Sequence, residues 1–221
     1  MSASTLFWSP RARTLYAGTA LQFDPWAWRW TLAQEAAPAD LRAVDACEAL
    51  RALADMARLV PVAVVGPRAA SEREYRTAEA LGAALAHHGL QLLCGGRNGV
   101  MEAAAKGHLQ AGGQPIGLLP DNDWRHANPY VRIPLASGIG KARNAIIAQA
   151  CPVLIAVGGG YGTMSEIAFG LQFGHMVLSL GDAPQIPGVI SCASVDDALR
   201  RTAEYLLRID SGQRDAGSVL S

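Results

Sequence analysis

The chain has 221 residues, of which 50% are hydrophobic, and it carries 19 basic and 19 acidic side chains. This length and composition suit one domain with a sizeable core plus an appendage. A formal charge of zero argues against a protein that tracks along nucleic acid, although binding of a small anion needs only local donors. We therefore expect no nucleic-acid partner.

The N-terminal stretch "MSASTLFWSPRART" has no signal pattern, and no apolar run reaches membrane-spanning length. We expect a cytoplasmic protein with no membrane partner. The cysteines lie far apart in the chain and form no CxxC or Cys/His cluster: Cys47, Cys94, Cys151 and Cys192. The sequence therefore predicts reduced thiols, with no metal site and no resident cofactor.

Residues 1–60 differ in composition from the rest of the chain, and the segment 13–31 is rich in aromatic side chains. Its tryptophans alternate at strand spacing: Trp26, Trp28 and Trp30. We expect a β-hairpin with one apolar face, packed on a sheet edge or on a second subunit. A stacking platform for an aromatic ligand is the alternative. A helix over 38–60 is expected to link this extension to the main domain.

Apolar runs and helical segments alternate from residue 61 onward. The predicted strands are 62–66, 90–96, 115–120, 131–135, 152–157, 176–180 and 188–191. The predicted helices are 71–89, 99–113, 140–150, 163–174 and 195–209. This order predicts an α/β fold, a doubly wound parallel sheet of Rossmann type, over 61–221.

Glycine loops follow several predicted strands and lead directly into helices. They are Gly66-Pro67, "GGRNG" (95–99) and "GGGYGT" (158–163). Ligands of open parallel sheets bind at the carboxyl ends of the strands. Bare backbone N–H groups and a helix N-terminus together favour an anion there. We predict a phosphate site, with plain tight turns as the alternative.

The candidate phosphate-binding residues are the glycines of these loops and the hydroxyl that follows them. They are Gly66, Gly95, Gly96, Gly99, Gly158, Gly159, Gly160, Gly162 and Thr163. Arg68 and Arg97 lie on loops at strand ends, where they either add charge to the site or are solvated surface residues. The chain lacks G-x-x-x-x-G-K-[ST] and G-x-G-x-x-G motifs, which argues against P-loop triphosphatases and the usual dinucleotide-binding enzymes.

Glu166 lies one turn into the helix that follows the last glycine loop. It is either a helix-capping residue or a catalytic carboxylate beside a bound sugar phosphate. The loop 121–130, which contains Trp124 and His126, is a candidate lid over the pocket.

The stretch "GGGYGTMSE" (158–166) resembles the PGGxGTxxE signature of the lonely-guy (LOG) proteins, once misnamed lysine decarboxylases. Residues 95–120 resemble the second glycine loop, helix and strand of that family. Its enzymes cleave the N-glycosidic bond of cytokinin or purine nucleoside 5′-monophosphates to base and ribose 5-phosphate. The resemblance implies that Arg143 and Glu166 are the catalytic pair.

This pair suits the chemistry of N-glycoside cleavage. The reaction passes through an oxocarbenium-like transition state, which a carboxylate stabilises while it orients or deprotonates water. A guanidinium fixes the phosphate or polarises the leaving base. The alternative for Arg143 is a simple surface charge.

Two departures from the enzymes point to another role. Gly158 replaces their Pro, and "IGKARN" replaces their M-H-E-R-K stretch. A GGGxGT loop with "RN" in the preceding helix is similar to the branch of the superfamily that includes the molybdenum cofactor carrier proteins. Those proteins bind a pterin with a phosphate tail.

Three functions therefore stay open. The leading hypothesis is a phosphoribohydrolase, the second is a non-catalytic carrier of molybdenum cofactor, and the third is a nucleotide sensor whose extension binds a protein. The ligand is expected to be a nucleoside monophosphate or a pterin phosphate. The resemblance also implies a homodimer or homotetramer.

Overall fold

The computed structural model describes residues 5–208. These residues divide into two compact units, one of which is Leu59–Leu199. The other, called the N-terminal unit below, combines residues 5–58 with residues 200–208. The predicted domain 61–221 extends past this boundary, and its residues 209–221 lie outside the described part of the chain.

The N-terminal unit contains a five-stranded sheet in the order β4-β3-β2-β1-β5. Its elements are β1 (Leu6–Ser9), β2 (Thr14–Ala17), β3 (Leu21–Asp24), β4 (Arg29–Leu32), β5 (Arg42–Val44) and helix α1 (Ala46–Leu53). The sheet has more strands than the expected hairpin. The expected helix over 38–60 is also too long, because β5 pairs with β1 and the helix begins only at the Asp45 capping box.

The tryptophans do not share one strand face, so that prediction was wrong. The carboxylate of Asp24 accepts a hydrogen bond from the backbone N–H of Trp26 and folds the chain into a turn between β3 and β4. Trp28 lies in the same turn with a positive φ of 52°. Trp30 alone of the three lies on β4, is buried, and donates its Nε1–H to the carbonyl of Leu207 at 2.9 Å.

The unit Leu59–Leu199 is built on a seven-stranded sheet in which the paired strands run parallel. Its strands are β6 (Pro61–Val65), β7 (Gln91–Cys94), β8 (Ile116–Leu119), β9 (Ile133–Ala136), β10 (Val153–Val157), β11 (Met176–Leu180) and β12 (Ile190–Cys192). The helices along this part of the chain are α2 (Glu72–His87), α3 (Val100–Gln110), α4 (Arg143–Ala150), α5 (Tyr161–Gln172) and α6 (Val195–Leu206). The predicted Rossmann-like α/β fold is confirmed.

The sheet grows in two directions from its centre. Its order is β12-β11-β10-β6-β7-β8-β9, so the chain first extends from β6 to one side and then returns with β10 to the other. Strands β6 and β10 pair in parallel, and their following loops therefore leave the sheet at the same edge. Ligands of open α/β sheets bind at such a switch point.

The core lies on both faces of this sheet. All residues of β10 are buried, as expected for a central parallel strand covered by helices on each side. Ile147 of α4 and Ile167 of α5 belong to the main apolar cluster on one face. Helix α2 begins at a capping box formed by Ser71 and Glu74. Within residues 5–208, no helix is long and apolar enough to cross a membrane.

Candidate ligand-binding site

The three glycine loops contact one another at the carboxyl edge of the sheet. A Cβ atom added at Gly66 would lie 2.5 Å from the carbonyl oxygen of Val157, and one added at Gly99 would lie 2.5 Å from that of Arg68. Gly99 also has a positive φ of 75°, which side-chain-bearing residues rarely adopt. Packing within the chain therefore accounts for glycine at Gly66 and Gly99.

At four more of the predicted phosphate-binding positions, the packing or the backbone conformation of the chain itself requires glycine. A Cβ at Gly95 would lie 2.8 Å from Cζ of Arg143, and one at Gly159 would lie 2.6 Å from a proline ring. Gly96 and Gly158 have positive φ angles of 69° and 60°. These positions need glycine whether or not a ligand binds.

Gly160 and Gly162 are different. Nothing lies within 4 Å of a Cβ added at either position, and neither has a positive φ. Both residues are exposed at the start of α5. The chain's own packing thus does not require glycine here, and the bare backbone leaves room for a bound group to approach closely.

The helix N-termini at this edge differ in how they are capped. Helix α2 is closed by the side chains of its own capping box. Helices α3 and α5 are preceded by the cap residues Gly99 and Gly160, which have no side chain to supply a hydrogen bond. The first N–H groups of a helix need acceptors, and the helix dipole favours an anionic one. The start of α5, which is also exposed, therefore offers backbone N–H groups of the kind that bind anions.

Arg143 and Glu166 form a buried ion pair between α4 and α5. Nη1 of Arg143 donates to Oε1 of Glu166 at 2.8 Å, and the two side chains are only 7% and 8% exposed. Nη2 of Arg143 lies 3.5 Å from the carbonyl oxygen of Gly95 in the second glycine loop. Arg143 is therefore not a surface charge, and Glu166 is not a cap of α5, which has no side-chain cap.

Sequence reasoning missed two residues that connect this pair to the glycine loop. Asn144 accepts from Nη1 of Arg143 at 2.8 Å and donates its Nδ2–H to Oγ of Ser165 at 2.8 Å. Ser165 in turn donates to the carbonyl of Gly162 at 2.7 Å. In the sequence, Asn144 directly follows Arg143 and Ser165 directly precedes Glu166. This adjacency to the predicted catalytic pair was the signal by which they could have been found.

The charge state of Glu166 is set by two opposing effects. The pKa of Glu166 is raised to about 7, because the increase caused by burial exceeds the decrease caused by the adjacent Arg143 guanidinium. Nε of Arg143 is buried and has no hydrogen-bond partner within residues 5–208. A carboxyl group with a pKa near neutrality exchanges a proton readily at physiological pH, as acid–base chemistry requires.

The other predicted site residues are Arg68, Thr163 and Arg97. Arg68 is exposed after β6, and Thr163 is buried in the first turn of α5. Arg97 donates its Nη1–H to the carbonyl of His126 at 2.9 Å and lies 3.3 Å from Oδ2 of Asp121. Its charge is thus already neutralised by a carboxylate. The described residues contain no group of three or more His, Cys, Asp or Glu side chains that could hold a metal ion.

Comparison with known proteins identifies the family. The profile of the SLOG cluster4 family matches residues 59–204, which is more than half of the chain. The chain belongs to the SLOG cluster4 family. An uncharacterized protein of Archaeoglobus fulgidus is 41% identical over 132 residues, which cover 60% of this chain and 87% of that protein.

Solved structures extend the comparison. The molybdenum cofactor binding protein of Rippkaea orientalis is 31% identical with a TM-score of 0.64, and the match covers 67% of this chain and 98% of that one. The Moco carrier protein of Chlamydomonas reinhardtii is 37% identical with a TM-score of 0.62, over 68% of this chain and 99% of that one. The resemblance to the LOG-like and molybdenum cofactor carrier-like superfamily is confirmed.

The buried carboxyl group predicts a specific pH dependence of stability. The pKa of Glu166 is raised from its ordinary value of 4.5 to about 7, so between these values the folded state binds more protons than the unfolded chain. The free energy of unfolding should therefore fall as pH rises through this window. We expect the wild type to lose about 1–3 kcal/mol more than Glu166→Gln between pH 5 and pH 7.5 in urea denaturation.

Glu72→Gln is the matched control, because Glu72 is an exposed carboxylate at the start of α2. This variant should keep the pH dependence of the wild type. Equal pH dependence in the wild type and Glu166→Gln would show that Glu166 does not hold a proton near neutrality.

Proposed function

We propose that the protein binds a small phosphorylated ligand, with its phosphate at the N-terminus of α5, and acts as a binding or carrier protein. The observation that supports this most is the exposed bare backbone at Gly160 and Gly162, in front of a helix without a side-chain cap. Backbone N–H groups and the helix dipole hold a phosphate there without a lysine or metal ion. The ligand we propose is a pterin phosphate or a nucleoside monophosphate.

The carrier role is supported by the comparisons with known proteins and by the hydrogen bond between Arg143 and Glu166. The molybdenum cofactor binding and carrier proteins are 31% and 37% identical to this chain. Gly158 and the Arg143–Asn144 dipeptide match the pattern expected of that branch. In addition, Arg143 and Glu166 already hydrogen-bond to each other, so the pair has a structural use without any reaction.

Hydrolysis of nucleoside 5′-monophosphates is the second candidate, and the raised pKa of Glu166 favours it. A carboxyl group with a pKa of about 7 is half ionised at neutral pH, so it can act as a base toward water. Arg143 would then stabilise the negative charge on the phosphate or polarise the leaving base. The catalytic roles of both residues stay predictions.

Gly162→Ala separates ligand binding from folding. The added methyl group meets no atom of the chain within 4 Å, and alanine is the better helix former by up to about 1 kcal/mol. Stability should therefore be unchanged or higher. The same methyl group would occupy the space of a phosphate, so affinity for ribose 5-phosphate, measured by titration calorimetry, should fall about tenfold or more.

Gln172→Ala is the control, because Gln172 is exposed at the opposite end of α5. It should bind ribose 5-phosphate as the wild type does. Full binding by Gly162→Ala would mean that the phosphate does not contact the start of α5.

The two functions differ in what happens to a bound nucleotide. The purified protein would be incubated with AMP, isopentenyl-adenosine monophosphate and other nucleoside monophosphates, and free base would be measured by chromatography. The carrier proposal predicts that no free base is released. Release that disappears in Glu166→Ala, with binding retained, would establish the hydrolase and overturn the carrier proposal. Gln172→Ala, at the exposed far end of α5, controls for general effects of substitution in this helix.

We also propose that the protein is a homo-oligomer joined through the surface near α4 and α5. Large apolar side chains are exposed there: Ile139 at 47%, Ile146 at 46%, Met164 at 41% and Tyr161 at 93%. Exposed apolar side chains of this kind are commonly found at interfaces between chains.

Ile146→Glu should lower the molar mass measured by light scattering after size exclusion to that of one chain, because it places a charge in the proposed interface. Gln110→Glu, an exposed position at the end of α3, adds the same charge on a helix outside the proposed interface and should leave the assembly intact. A monomeric wild type would rule the assembly out.

A further inference from the structure

The loop that follows β8 is fixed to the second glycine loop. Strands β7 and β8 pair in parallel, so both loops leave the sheet at the same edge. The backbone N–H of Asn128 donates to the carbonyl of Gly96 at 2.9 Å, and its Nδ2–H donates to the carbonyl of Arg97 at 3.0 Å. The C-terminal end of the loop 121–128 is therefore attached to the glycine loop itself.

Arg97 makes two further attachments to the same loop. Its Nη1–H donates to the carbonyl of His126 at 2.9 Å, and Nη1 also lies 3.3 Å from Oδ2 of Asp121. That carboxylate oxygen is buried and has no hydrogen-bond partner among the described residues, so the ion pair with Arg97 is its main interaction. Arg97 therefore holds the loop 121–128 in place.

Trp124 is held exposed on this fixed loop. The carboxylate of Asp123 accepts the backbone N–H of Arg125 at 2.9 Å and starts a short 3₁₀ helix, Trp124–His126. On that helix Trp124 is 60% exposed, although tryptophan is usually buried for most of its surface. An aromatic ring on a preordered loop loses little conformational freedom when a ligand stacks on it.

We propose that Trp124 binds the planar heterocycle of the ligand by stacking, and so forms the ring-binding half of the site. This inference rests on the proposed function, because it places the ligand phosphate at the start of α5. Three strand spacings separate β10 from β8 in the sheet order, about 14 Å. A phosphate, a linking group and a bicyclic ring extend along such an edge toward the loop 121–128. The ligand class is therefore a phosphorylated purine or pterin, and a phosphorylated sugar alone leaves the indole unoccupied.

The test compares ligands with and without the ring. Titration calorimetry of the wild type, Trp124→Ala and Trp124→Phe would use AMP, GMP, a pterin phosphate and ribose 5-phosphate. We expect Trp124→Ala to bind the ring-bearing ligands about tenfold or more weakly, because base–aromatic stacking makes a contribution of that order. Binding of ribose 5-phosphate should stay within about twofold of the wild type, and Trp124→Phe should retain most of the affinity.

Trp26→Ala is the matched control, because Trp26 is 62% exposed and belongs to the N-terminal unit. Trp26→Ala should change the affinity for neither class of ligand. Equal weakening of ribose 5-phosphate and ring-bearing ligands in Trp124→Ala would overturn the inference, as would undiminished binding of both. In these two cases the wild type still binds phosphorylated ligands and the proposed function stands. A wild type that binds no probe overturns both.

Discussion

The absence of side chains at the carboxyl edge of the sheet is the constraint on which the site depends. Three strand-end loops meet there, and a single Cβ atom at Gly66 or Gly99 would overlap a carbonyl oxygen of a neighbouring loop. Gly95 likewise leaves the space that the Arg143 guanidinium fills. Since packed interiors deform little, these contacts fix the separation of the loops. The close contact with Gly95 also fixes the position of the Arg143 guanidinium, which pairs with Glu166.

The Arg143–Glu166 pair shows how one arrangement suits both binding and catalysis. Removing a carboxylate from water favours its neutral form, and a guanidinium 2.8 Å away favours the charged one. Because the pair is buried, breaking it would leave an uncompensated charge, which is strongly destabilising. The buried pair thus has a structural consequence of its own, and its geometry alone does not make it catalytic. What distinguishes the two roles is access of water and substrate to Glu166.

The sequence was sufficient for the main domain but not for the extension. Continuous apolar runs that end in glycine loops and alternate with helical segments predicted the parallel sheet, because each of these patterns reflects a local rule. The tryptophan pattern failed because Asp24 forms a turn within it, and side-chain spacing does not reveal such a turn. The Asn144–Ser165 hydrogen bond joins two helices far apart in sequence, and no local pattern encodes it. Likewise, spacing alone does not separate glycines needed for packing from Gly160 and Gly162.

The hydrogen bond from Trp30 to the carbonyl of Leu207 has a consequence for how the protein is made. It joins an early strand to a residue near the other end of the described chain, within one compact unit. During translation the strands β1–β5 emerge first, but their last partner leaves the ribosome only after the whole segment Leu59–Leu199 has been synthesised. That continuous segment can therefore fold before the N-terminal unit is complete, although domains often fold in the order of synthesis.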